Sequence, residues 1–102
     1  MYKLQVTHQA AEELERITDY IAVQLDSPGA ALDWLLEVDK HYERLENTPY
    51  MYEACHDAIL RRKGYRRIVI RNYILVYKIA ELEKTVQILH FFHGTQNYEM
   101  LI

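Results

Sequence analysis

Six basic residues, Arg61, Arg62, Lys63, Arg66, Arg67 and Arg71, fall within eleven consecutive positions, and two histidines, His90 and His93, follow three residues apart. Guanidinium and ammonium groups stabilise charge on phosphate oxygens, and an imidazole titrates near neutral pH. Such a set is able to hold a phosphodiester and pass a proton. Residues 1–57 carry four bases against twelve acids, a net of −8, while residues 58–102 carry eight bases against three acids, a net of +5. That polarity suits the second half to a polyanion or an acidic partner. Lys and Arg also protect exposed strand edges, but edge protection needs fewer charges than these.

The elements that must position these groups come next. Tyr65–Arg71, Tyr73–Ile79 and Thr85–Phe92 are rich in β-branched and aromatic residues, which pack well on a pleated surface, so the composition predicts three strands. Arg71-Asn72 makes a tight break between the first two, and Glu81–Lys84 a charged break before the third, the pattern of an antiparallel meander. Alternation in the first strand puts Ile68 and Ile70 on one face with Arg66, and Arg67, Val69 and Arg71 on the other. The aliphatic pair is expected to face the core, leaving Arg67 and Arg71 on the open face with Arg66 snorkelling near the strand start. His90 and His93 fall on opposite faces of an unbroken strand; His93, beside Gly94, is the freer to join the arginines.

Ahead of the meander, Tyr2–Val6 reads as a short strand. Thr7 is a candidate N-cap for a helix whose apolar stripe is Ala10, Leu14, Ile17, Ile21 and Leu25. Ser27-Pro28 closes that helix and opens another, with a stripe through Ala31, Trp34 or Leu35, Val38, Tyr42 or His41, and Leu45 that Asn47-Thr48-Pro49 stops. Two such helices form an αα-hairpin, and both stripes need the apolar side of the sheet to cover. Tyr50–Asp57 has no clear period and reads as loop, and Ala58–Arg62 as a further short strand. The expected fold is α+β: one domain over residues 1–102, with an N-terminal strand and αα-hairpin packed on a small antiparallel sheet.

Several chemistries drop out. Cys55-His56 has no second pair at zinc spacing, three glycines make no phosphate loop, and no Gly-x-Ser-x-Gly elbow is present. No metal and no cofactor is expected. No apolar run is long enough to cross a bilayer, and a lone cysteine fits a reducing compartment, so a cytoplasmic protein without membrane contact is expected. His8, His41 and His56 read as solvent or packing residues. Tyr50, Tyr52 and Tyr98 are candidates to stack on nucleobases, against the commoner role of tyrosine as packing material. Glu53 is a remote candidate for a base.

The opening VTHQAAEELERITDYIA, SPGAA at the second helix start, LENTP at its end, GYRRIVIRNYILVYKI and the closing ILHFFHGTQNY occur in an order that resembles the RelE/ParE superfamily of toxins from type II toxin–antitoxin modules. The resemblance covers nearly the whole chain. It implies a cytoplasmic toxin held inactive in a hetero-oligomer with a cognate acidic antitoxin. RelE-like members cut mRNA on the ribosome without a metal, using basic side chains to stabilise the phosphate as the ribose 2′-OH attacks; ParE-like members poison DNA gyrase. On the first, favoured branch, Arg67, Arg71 and His93 are the catalytic residues, and Arg66, Lys63, Tyr98 and His90 bind substrate. Arg61 and Arg62 would pair with antitoxin acids. Two departures stand out. Ile74 occupies a position where an arginine often begins the strand, and Gly94-Thr95-Gln96-Asn97 replaces a closing segment that commonly leads into another. Both favour the gyrase branch; a third reading is a decayed toxin that only binds its antitoxin.

Overall fold

The computed structural model describes residues 1–24 and 26–102; Leu25, the last residue of the expected first stripe, lies outside them. The chain runs β1 (Lys3–Val6), α1 (His8–Gln24), α2 (Pro28–Asn47), α3 (Ala58–Arg62), β2 (Tyr65–Ile70), β3 (Tyr73–Ala80) and β4 (Thr85–His93). Local signals place most boundaries. Thr7 Oγ1 accepts the Ala10 amide at 3.1 Å, Ser27 Oγ accepts the Ala30 amide at 3.2 Å, and Pro28 takes the first position of α2.

The meander is antiparallel as its composition indicates, with sheet order β1-β4-β3-β2. The N-terminal strand joins this sheet as a parallel edge on β4, Lys3 opposite Thr85 and Val6 opposite Ile88. The sheet is therefore mixed, which no local pattern specifies. A second difference is Ala58–Arg62, a helical turn and not a strand. Asp57 decides it: its carboxylate accepts the amides of Ile59 and Leu60, both at 3.0 Å, and so nucleates a turn. Within the segment read as loop, Pro49–Met51 forms a 3₁₀ turn, and Ala54 bridges antiparallel to Arg66, covering the start of the β2 edge.

The two faces of the sheet bury different things. Ile68, Ile70, Leu75, Tyr77, Val86, Ile88 and Phe91 pack against Ala10, Ile21, Trp34, Val38 and Leu45 of the hairpin. On the far face, Ile74, Val76 and Phe92 form a second cluster with Cys55, Leu60 and Tyr98. A β-bulge makes both sets consistent. Val76 faces His90 while Tyr77 faces Ile88, so Leu89 is left over and the parity of β4 flips beyond it. Gly94 lets the strand end pass close to the β2–β3 turn: its amide donates to the Asn72 carbonyl at 2.6 Å, and a Cβ there would stand a tight 3.1 Å from that oxygen.

Candidate functional site

A groove of about 590 Å³ at the β2–β3 turn end of the sheet is lined by Arg67, Arg71, Ile74, His93 and Gly94, among others. The three residues expected to act together thus border one depression. The charges of the two arginines, however, are engaged within the chain. Arg67 Nε donates to Glu53 Oε1 at 2.9 Å and a terminal nitrogen donates to the Tyr98 hydroxyl at 3.4 Å, leaving its side chain 17% exposed. Arg71 sits in the left-handed region (φ 55) and turns toward the hairpin, where Nε meets Glu37 Oε1 of α2 at 3.2 Å. The expected concentrated cationic face is therefore two separate ion pairs, each closed by a carboxylate distant in sequence.

Hydrogen bonds from His56 and Arg67 hold the Glu53 carboxyl below its usual range, which makes it an anchor for Arg67 and a weak base. Arg66 has the helix-side parity expected of it and donates to the Tyr52 carbonyl at 2.7 Å while covering the Tyr50 ring. Tyr98 is 3% exposed and stacks on Phe92 with ring centroids 5.9 Å apart, so its face is closed to a nucleobase. Burial raises its phenol pKa, and the hydroxyl stays protonated against Arg67. Tyr52 is likewise committed, to His41 Nδ1 at 2.8 Å and edge-on to Tyr77. Tyr50 remains half exposed, its hydroxyl on Glu81.

The histidines fall on opposite faces, as strand parity requires. Register aligns Arg67, Val76 and His90 in one row, so His90 is the one that shares the arginine face; His93 lies opposite Tyr73 at the rim. His90 Nδ1 contacts Glu13 at 3.3 Å and its ring stacks on Phe92. His93 Nδ1 meets the Thr95 hydroxyl at 2.7 Å and packs edge-on to Tyr73. Arg61, Arg62 and Lys63 are exposed at the end of α3 and border neither imidazole nor groove.

Sequence reasoning reads Glu13 only as an acid suited to the positive end of α1. Its carboxylate, 9% exposed, accepts from the Phe91 amide at 3.1 Å and the Gln9 amide at 3.2 Å, and closes the edge of β4 where β1 has ended. A polar residue at 13, beside Leu14, gives no signal that it turns inward. Cys55 is fully buried and desolvation raises its thiol pKa. Alkylation at mildly alkaline pH is therefore expected to be slower in the folded protein than in denaturant by about three orders of magnitude, the scale set by the unfolding equilibrium. Equal rates would mean the thiol is accessible. Among the described residues no helix is long and apolar enough to cross a membrane, and no group of three or more His, Cys, Asp or Glu is arranged to hold a metal.

The fold class is shared with solved structures of toxins and toxin–antitoxin complexes. The chain is similar to one in the chromosomal ParDE system of P. aeruginosa (TM-score 0.72, 21% identity, covering 91% of this chain and 96% of that one). It is similar to one in the RelBE2 complex of Mycobacterium tuberculosis (0.61, 20% identity, 90% and 96%) and to isolated E. coli RelE (0.60, 17% identity, 99% and 95%). No curated protein sequence matches it. The family model for the ParE toxin of the type II toxin–antitoxin system parDE matches residues 4–98, and the chain belongs to that family.

Proposed function

We propose that this toxin works by binding, without chemistry of its own, and that its target is DNA gyrase. The observation that carries this reading is the far face of the sheet, where a cleaving toxin needs a floor of free cations. Ile74, Val76, Phe92 and Tyr98 fill that floor with apolar side chains, and Arg67 at its margin is neutralised by Glu53. Transition-state stabilisation requires unsatisfied donors aimed at the developing charge, whereas Arg67 already gives its Nε to Glu53 and a terminal nitrogen to the Tyr98 hydroxyl. The proposed restraint on the toxin is a cognate acidic antitoxin in a hetero-oligomer, with apolar side chains seated between α1 and α2, where Leu14, Leu35 and Tyr42 line a groove. Both events belong to the cytoplasm.

The purified chain is expected to block supercoiling by DNA gyrase and to leave ribosome-bound mRNA intact. Cleaved mRNA with unimpaired supercoiling overturns the reading. One observation favours mRNA cleavage as a second reading: Arg67, Arg71 and His93 border the same groove. On that account His93→Ala and Arg67→Ala abolish cleavage; on the binding account His93→Ala leaves gyrase inhibition within about twofold, as expected for an exposed rim contact.

A further inference from the structure

The fold sorts the six bases between Arg61 and Arg71 into two groups. Arg66, Arg67 and Arg71 are held by Tyr52, Glu53 and Glu37. Arg61, Arg62 and Lys63 are exposed, and their side chains make no hydrogen bond or ion pair among the described residues. They occupy the last turn of α3 and the position after it, just before Gly64 reverses the chain at φ 87. One cation at the end of so short a helix satisfies its dipole. Three unpaired cations on one tip leave a surplus that stability does not explain.

We infer that the α3 tip is a docking surface for the phosphodiester backbone of duplex B-form DNA, entering the major groove with its cations on the phosphate rows at either wall. Geometry favours this partner over an acidic peptide. Leu60 is buried in the far-face cluster, and successive helical residues turn about 100°, so Arg61 and Arg62 splay to different sides of the tip. A peptide lying along one side meets part of such a set; a groove with phosphates on both walls meets all of it. The B-form major groove is about 12 Å wide and admits a helix, whereas the A-form groove is too narrow. Charge segregation removes the objection of a net −3. The acidic helices α1 and α2 cover the opposite face of the sheet, and the thinnest dimension of the molecule, 22 Å, exceeds the Debye length of about 10 Å at 0.1 M salt. Contacts to phosphate alone make the binding independent of base sequence. The inference goes beyond gyrase as target, and DNA binding is measured with no gyrase present, so either can fail without the other.

The test is fluorescence anisotropy of a short mixed-sequence DNA duplex titrated with the full chain from low to physiological salt. Three phosphate contacts predict a log K against log salt slope of about −2.7, and Arg61→Ala and Arg62→Ala each reduce its magnitude by about 0.9. Replacing Arg61, Arg62 and Lys63 together with alanine is expected to abolish binding while the thermal midpoint stays unchanged, since all three are exposed. Arg71→Ala, which removes a paired cation, leaves the slope in place. A slope that survives the triple replacement overturns the inference. Equal affinity for an A-form RNA duplex overturns it as well, as does equal affinity for poly-glutamate.

Discussion

Trp34→Ala is expected to lower the thermal midpoint of this domain by roughly 15–30 °C and to abolish toxicity through loss of the fold. Trp34 is fully buried, the largest side chain between α2 and the sheet, with its ring 5.1 Å from that of Tyr73. Truncating a buried tryptophan costs about 3–5 kcal/mol in lost transfer free energy and residual cavity. In a domain of this size each kcal/mol moves the midpoint by about 4–8 °C. Trp34→Phe supplies the contrast. The indole N–H is buried without an acceptor among the described residues, so replacing the ring with a smaller aromatic also removes a donor that they leave unpaired. Phenylalanine is expected to cost about 1–2 kcal/mol, well under the alanine figure. Circular dichroism melting of both variants checks the pair. A midpoint that falls by only a few degrees with alanine would place Trp34 outside the cooperative core.

The second large effect comes from Glu13. It accepts from the Phe91 amide, the Gln9 side chain and, when His90 Nδ1 carries the proton, the imidazole, at the edge of β4 beyond its pairing with β1. Glu13→Ala leaves the Phe91 amide unpaired in the interior and removes the tie between α1 and β4, an expected cost of about 2–3 kcal/mol. Glu13→Gln keeps an acceptor of the same reach and is expected to lose about 1 kcal/mol. Thermal melts rank the variants, and faster hydrogen exchange at the Phe91 amide in Glu13→Ala identifies the broken bond. A Glu13→Leu protein more stable than the parent would mean that desolvation of the carboxylate outweighs its hydrogen bonds.

Short-range signals in the sequence are sufficient for the two capped helices, the proline that ends the second, the three strands of the meander and the inward face of Ile68 and Ile70. Caps, periodicity and turn residues act over a few positions, so their physics is complete within the segment that carries them. α3 departs from the strand expected there for a related reason: its five residues have strand-compatible composition, and a single hydrogen-bonding carboxylate at Asp57 overrides it. The mixed sheet, the bulge at Leu89, the inward Glu13 and the buried Tyr98 belong to tertiary structure alone. So does the fate of the arginines. Arg67 finds Glu53 fourteen residues away and Arg71 finds Glu37 thirty-four away. A guanidinium in a sequence is only a charge. Whether it remains free for phosphate or is neutralised depends on which carboxylate the folded backbone brings within about 3 Å, a property of the packed chain as a whole.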